Sequence, residues 1–336
     1  MWYVGLDVHF RRSSYCVLDP GGRVVEEKTV KGPVRKVLAE LAQVKRRFAI
    51  VYEASCNYGY LHDELSKIAA RVVVAHPAQL RLIFKSKRKN DRIDAKKLAK
   101  MLLLDMVPTV HVPSPRVRAW RGMIEHRQRQ IDERTRVKNG LRALLRGRGI
   151  EAPKSLWTKA GLAWLRALPL EEPLDAIRRD DLVSRLELLH AAVRRVEAVL
   201  NDIGAKHPGV VLLRSIDGVG IRTAEAVVAY IDQPARFARN KAIGSYFGLV
   251  PCQDASGGKN RLGHITHDGP ATVRRLLTQA AWQGIRRSAE IRAYYERIRR
   301  DDPDRKKIAI VATMHYLVRV MLAMLRTGEV WRFSAA

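Results

Sequence analysis

Cysteine is scarce: Cys16, Cys56 and Cys252 are the three in 336 residues, scattered and in no metal-ligand spacing. This excludes a disulfide framework and a structural zinc site, and fits a reducing cytosol. No apolar run is long enough to cross a bilayer, so no membrane partner is expected. The most apolar stretch, Ile308 to Leu325, carries His315 and Arg319 and reads as a packed helix. Asp7 and the Arg11-Arg12 pair interrupt the N-terminus, which argues against a signal peptide and for a cytoplasmic location. A Walker-type phosphate loop is missing, which excludes an ATP-driven motor of that class. Acid is short as well: 34 Asp+Glu stand against 62 Lys+Arg, a formal net charge of +28. Such a charge resists compaction unless a polyanion offsets it, and the basic residues recur along the whole chain. A long nucleic-acid footprint on folded surfaces follows. Hydrophobic residues make up 47%, enough for real cores, and the length suits two or three of them.

Against that cationic background four carboxylates stand out. Asp7 closes the apolar run Tyr3-Val4-Gly5-Leu6, and Glu53 closes Phe48-Ala49-Ile50-Val51-Tyr52. Asp91 and Asp94 lie three apart in a segment that reads as helix from Asp91 to Leu103, so they share a face. Runs at 2–8, 13–19 and 23–31 predict an antiparallel meander, with Asp19-Pro20-Gly21-Gly22 as its second turn. Helices at 35–46 and 58–70 alternate with buried strands at 48–53 and 71–75, which predicts a mixed sheet with helices on its faces. Neighbouring strand ends bring Asp7 and Glu53 side by side, and a helix on the sheet can aim Asp91 and Asp94 at the same point. Hard carboxylate oxygens of this kind suit Mg²⁺, with Mn²⁺ as a substitute. Two ions can clamp the attacking and leaving oxygens of a phosphodiester displacement. The competing reading keeps them apart, with Asp91 and Asp94 favoured by the helix dipole and Glu53 paired with Arg47.

Residues 78–100 hold nine Lys/Arg, including Lys87-Arg88-Lys89, a candidate nucleic-acid contact. A basic helix is predicted from Arg116 to Arg148, and another from Asp181 to Ile203. The second carries Leu182, Leu186, Leu189, Val193, Val196, Leu200 and Ile203 at steps of four and three, a heptad seam. It fits a dimerising coiled coil or a core stripe inside a bundle. Beyond Pro208-Gly209, Asp217-Gly218-Val219-Gly220 lies between two short helices and reads as a helix–hairpin–helix. Gly218 and Gly220 there can bring backbone N–H groups close to a phosphate. A polar glycine-rich loop is expected at 253–261, then helices at 271–287 and 289–299. Ser256 precedes Gly257-Gly258 in that loop and is accessible. Lys259 and Arg261 are suited to hold a phosphate, yet the loop offers no obvious base, and a plain flexible turn is the other reading. Ser55 and Ser245 rank below Ser256 as nucleophiles.

The order Asp, Glu, Asp-x-x-Asp is similar to RuvC-like, ribonuclease-H-type nuclease domains. More specifically, Gly5-Leu6-Asp7-Val8-His9, Tyr52-Glu53-Ala54-Ser55 and Lys89-Asn90-Asp91-Arg92-Ile93-Asp94-Ala95 resemble the DEDD-type transposases of bacterial insertion sequences. That family includes bridge-RNA-guided serine recombinases and Piv-type invertases. Gly248-Leu249-Val250-Pro251, Ala255-Ser256-Gly257-Gly258-Lys259 and Arg261-Leu262-Gly263-His264-Ile265-Thr266 resemble its C-terminal transposase domain. The resemblance implies a RuvC-like α/β domain over 1–110, a helical coiled-coil region over 111–207, and a mostly α C-terminal domain with a helix–hairpin–helix over 208–336. It implies a magnesium site on Asp7, Glu53, Asp91 and Asp94, and Ser256 as nucleophile of a covalent phosphoserine intermediate. The implied partners are donor and target double-stranded DNA, a guide (bridge) RNA, and further copies of the chain as a dimer or tetramer. A metal-only junction nuclease, a Piv-type invertase and a non-catalytic nucleic-acid scaffold are the alternatives.

Overall fold

The computed structural model describes residues 1–55, 57–83, 91–256 and 259–331; the side chains of residues 91, 254–256 and 259–260 lie outside that description. Lys87, Arg88 and Lys89 therefore lie outside the described residues, as do the side chains of Asp91, Ser256 and Lys259. The chain divides into two compact units, Met1–Arg118 and Ala119–Ala336.

The first unit opens with β1 (Trp2–Val8), β2 (Arg12–Leu18) and β3 (Val24–Lys31), paired antiparallel as the turn residues predict. The second turn closes because Asp19 Oδ1 accepts from the Arg23 amide at 2.9 Å, while Gly22 takes a φ of +79°. Then come α1 (Val34–Leu41), β4 (Phe48–Glu53), α2 (Tyr58–Leu65), β5 (Arg71–Ala75), α3 (Pro77–Ile83) and α4 (Asp91–Leu103). The sheet order is β3-β2-β1-β4-β5, with β1, β4 and β5 parallel. This is the mixed sheet with helices on both faces that the strand and helix alternation calls for. On one face Val4, Leu6, Ile50 and Tyr52 meet Val37 and Leu41 of α1 and Leu61 and Leu65 of α2. On the other, Ala49, Val51 and Val73 meet Leu80 of α3 and Leu98, Met101 and Leu102 of α4. Each such leucine contributes about 1.5–3 kcal/mol when fully buried. The predicted helices at 35–46 and 58–70 stop earlier, at Leu41 and Leu65, and the segments beyond them still pack Val44, Ile68 and Ala69 against this core.

The helix α5 (Pro115–Gly147) leads into the second unit, followed by α6 (Lys159–Ala167) and α7 (Pro173–Lys206). α7 begins eight residues before the predicted Asp181, because Pro173 fits a helix's first position and Asp175 its first turn. Within the second unit α5 and α7 run antiparallel. Val137, Leu141 and Leu145 of α5 pack with Val183, Leu186 and Leu189 of α7, and Ile124 with Leu200. The heptad seam is thus covered by the chain's own α5, the bundle-core alternative of the two weighed for it.

The rest is α8 (Pro208–Leu213), α9 (Ile221–Ile231), α10 (Ala242–Tyr246), β6 (Pro251–Ser256), β7 (Lys259–Ile265), α11 (Ala271–Arg287), α12 (Ala289–Arg299) and α13 (Lys306–Thr327). The expected loop at 253–261 is instead a β-hairpin, with Ser256 registered against Lys259. Its arms are mostly polar, so no apolar alternation betrays them. α13 is long and apolar enough to cross a bilayer by length and composition. Its Met314, Leu317, Val318, Met321 and Leu322 are instead buried in the core of the second unit.

Candidate active site

Strand alternation places the first two carboxylates. Val4 and Leu6 face the α1–α2 side, so Gly5 and Asp7 face the α4 side. In the parallel pairing of β1 with β4, Gly5 stands opposite Val51 and Leu6 opposite Tyr52. The next level up holds Asp7 and Glu53. Val51 packs beneath Leu98, Met101 and Leu102 of α4, so Glu53, two residues on, shares that face. Two neighbouring parallel strands thus end in carboxylates on one face, at the carboxyl edge where open α/β sheets bind ligands.

The direction of α4 brings in the remaining acids. Gly5 lies against the backbone of Ala95 and Ala99, and Tyr3 packs near Ala99 and Leu103. Moving up β1 toward Asp7 therefore means moving back along α4 toward its start. Asp91 and Asp94 occupy that first turn, at the Asp7 end of the sheet. Asp94 Oδ1 lies 3.8 Å from Lys97 Nζ, with its side chain 24% exposed. Asp7 is 19% exposed, and its Oδ2 lies 3.2 Å from His9 Nε2. Glu53 is exposed. On the neighbouring strands Ser14 is buried and shares a 2.9 Å hydrogen bond with Thr29, and Arg92 Nε donates to the Thr29 hydroxyl at 3.4 Å. Among the described residues no group of three or more His, Cys, Asp and Glu side chains forms a ready-made ion cage. The donor set is still that of a hard cation: carboxylates from two strand ends and a helix turn, open to water and phosphate oxygen. Ser55, the rival hydroxyl beside Glu53, is exposed and donates to Asn57 Oδ1 at 2.8 Å.

In the second unit the backbone of Ser256 ends β6, next to the hairpin connection. The base of that hairpin is held firmly. Gly248 and Gly269 take φ values of +63° and +67°, each pressed against backbone. Arg274 Nη1 donates to the carbonyls of Phe247 at 3.3 Å and Gly269 at 3.2 Å, and also to that of Asp268. Arg261 is exposed on β7. His264 Nδ1 lies 2.8 Å from the Ile265 carbonyl oxygen, and its ring centroid lies 5.8 Å from that of His267.

The Asp217–Gly220 turn joins α8 to α9. Gly218 takes a φ of +90° and sits on the backbone of Gln283 and Gly284, so its missing side chain lets α11 approach. Gly220 caps α9 and has open space around it. Sequence reasoning missed the group beneath this turn. Glu225 of α9 is fully buried, with Oε2 3.0 Å from Arg222 Nη1. Gly204 of α7 makes the room: a Cβ there would come 2.5 Å from Glu225 Oε1. Burial pushes the Glu225 carboxyl up to about 7, against the opposing pull of Arg222 and Arg127. An acid three residues from an arginine inside the apolar run of α9 is the signal that was available.

A family model described as "Transposase IS116/IS110/IS902 family" matches residues 210–296, and a DEDD-type IS110 model described as "Transposase" matches residues 4–149. The chain is similar to a probable family 20 transposase of Pseudomonas aeruginosa, 27% identical over 247 residues that cover 70% of this chain and 71% of that protein. It is similar to the transposase for insertion sequence element IS1328 of Yersinia enterocolitica, 27% identical over 242 residues, 69% of each chain. It is also similar to the transposase for insertion sequence element IS1111A of Coxiella burnetii, 24% identical over 286 residues, 83% of this chain and 76% of that one. With a DEDD-type transposase domain on the carboxylate-bearing sheet and a second transposase domain around the Ser256 hairpin, the chain belongs to the IS110/IS116 family of insertion-sequence transposases.

Proposed function

We propose that this transposase cuts and rejoins DNA through a covalent phosphoserine at Ser256, with Asp7, Glu53, Asp91 and Asp94 holding divalent metal, magnesium by preference. The observation that carries the reading is the strand register that sets Asp7 and Glu53 at one level on one face, with the first turn of α4 above them. When bound, the cation supplies charge neutralisation at the phosphodiester and polarises its oxygens. The chain's own residues do the rest. The Ser256 hydroxyl forms a bond to phosphorus as the bond to a deoxyribose oxygen breaks. The serine proton ends on the departing sugar hydroxyl. One phosphate ester replaces another, so rejoining to a different strand is the same step in reverse and needs no ATP. Lys259 and Arg261 neutralise the phosphate in flight. Gly218, Gly220 and Lys87-Arg88-Lys89 contact the nucleic-acid backbone.

The organisation follows the same proposal: a metal-binding domain over 1–110, a helical region over 111–207 and the serine domain over 208–336. Carboxylates and serine act together within one chain or across two. A guide RNA bridges donor and target DNA, and a dimer or tetramer supplies enough sites to cut both strands of two duplexes. The test is to trap the protein on substrate DNA with Mg²⁺ and map the phosphorylated peptide. Phosphate on Ser256, and no cutting by Ser256→Ala, is the expected result. Cutting with no phosphoserine, or with the label elsewhere, overturns the mechanism in favour of a metal-only nuclease. Mixing Asp7→Asn with Ser256→Ala protein then separates the arrangements: recovered activity means that the two groups act in trans.

A further inference from the structure

The second unit carries a cleft of about 510 Å³ between the Asp217–Gly220 turn and α11. Four guanidinium groups line it: Arg127, Arg214, Arg222 and Arg287. Two are partly neutralised, since Arg127 is paired with Glu197 and Arg222 with Glu225. The side chains of Arg214 and Arg287 make no hydrogen bond or ion pair among the described residues. Gln279 and Gln283 join Arg287 along α11 at steps of four, so the three side chains form one ridge on that wall. Both glutamines are exposed, with no side-chain hydrogen bond among the described residues. One carboxylate, Asp217, opposes this charge.

A fold does not gather unpaired cations around a concavity for its own stability, because like charges repel there without compensation. We infer that this cleft is a binding site for the phosphodiester backbone of a polynucleotide. Arg214 and Arg287 take the phosphates from opposite walls, and the two amides bond the adjoining sugar–phosphate oxygens. The site lies apart in sequence from the acids and from Ser256, and its role is grip. It rests on the reading that the chain acts on nucleic acid, and it does not depend on how strands are cut.

The experiment is binding of a fluorescent DNA duplex, and separately of an RNA hairpin, by the full chain in EDTA across a salt series. Removing two phosphate contacts lowers the slope of log affinity against log salt by about two. That loss, with roughly tenfold weaker binding, is expected of Arg214→Ala/Arg287→Ala for at least one of the two probes, and which probe responds identifies the ligand. Gln279→Ala/Gln283→Ala weakens binding to the same probe without changing the slope. Asp217→Asn has the opposite sign and tightens binding. The charge-matched Arg178→Ala/Arg286→Ala, outside the cleft, sets the background. An equal slope change in that control, or no change in the Arg214/Arg287 pair while its melting temperature is normal, overturns the site. EDTA removes divalent metal, so this assay reads grip without strand cutting. A failed phosphoserine test together with a positive result in this assay therefore removes the chemistry and leaves the cleft.

Discussion

Gly5 of β1 and Ala95 of α4 touch backbone to backbone: a Cβ on Gly5 would overlap the Ala95 carbonyl oxygen and the Ala99 amide nitrogen. The missing side chain lets α4 lie directly on the sheet. It also sets how far along the sheet the helix sits, and hence where Asp94 stands relative to Asp7. Gly5 is therefore a positioning residue for the acids as well as a packing residue.

Gly5→Ala is expected to push α4 off the sheet and to cost roughly 2–5 kcal/mol, because the neighbours on both sides are backbone and cannot rotate away. Gly122→Ala is the contrast. Gly122 lies within α5 with nothing near its absent side chain, so alanine there stabilises by about 0.5–1 kcal/mol. Urea unfolding of both variants checks the pair. Gly5→Ala with parental stability would mean that α4 does not rest on β1 as described.

The two elements of that contact were unequally legible in sequence. Asp7 and Glu53 could be placed because each ends a short apolar run, and parallel strands put such ends together. The direction of α4 could not be read, since it depends on which strand residue lacks a side chain under Ala95. The hairpin carrying Ser256 passed for a loop because its arms are mostly polar, and hydrophobic periodicity is silent there. The short α3 and α6 were missed for a related reason: few turns give little periodicity to read. The seam on α7 was plain, but periodicity cannot say which helix covers it. Glu225 drew no attention because an acid in a helix is ordinary until Gly204 and Arg222 are seen around it.

The metal reading predicts a ligand-linked shift in stability. A cation at 100 times its dissociation constant stabilises a folded protein by about 2.7 kcal/mol. Mg²⁺ or Mn²⁺ is expected to raise the melting temperature of the parent chain. Asp7→Asn and Glu53→Gln are expected to lose most of that rise while keeping their metal-free melting temperatures near the parent's. Calorimetric scans with and without metal decide this, and a full shift retained in both variants would remove these acids from the ligand set.

Glu225 makes stability depend on pH in a stated direction. Its carboxyl titrates at about 7 in the fold against an ordinary value of 4.5. Between those values the folded state holds a proton that the unfolded chain has released, so stability falls as pH rises through the window. Below it the contribution is fully present, and above about pH 7 it is gone. The size is about 3 kcal/mol as an upper figure, at 1.36 kcal/mol per unit, with the pull of Arg222 already contained in the value of about 7. Glu225→Gln cannot titrate and is expected to flatten the slope between pH 5 and 8. Denaturant unfolding at several pH values measures it, and an unchanged slope would assign the dependence to other groups.

The seam of α7 separates packing within a chain from packing between chains. Leu186 is fully buried in a cluster with Leu141 and Leu145 of α5 and Leu165 of α6, whereas Leu188 is 72% exposed. Leu186→Asp places a charge in that core and is expected to cost roughly 3 kcal/mol or more. Leu188→Asp stays within about 0.5 kcal/mol of the parent. The sharper measurement is the concentration dependence of unfolding. A seam closed within one chain loses stability in Leu186→Asp by the same amount at every protein concentration. A seam shared by two chains would make the loss shrink as concentration rises, because mass action favours the paired state. Unfolding midpoints across a hundredfold range of concentration, with sedimentation on the same samples, therefore decide whether any dimer of this transposase is held by the α7 seam or by another surface.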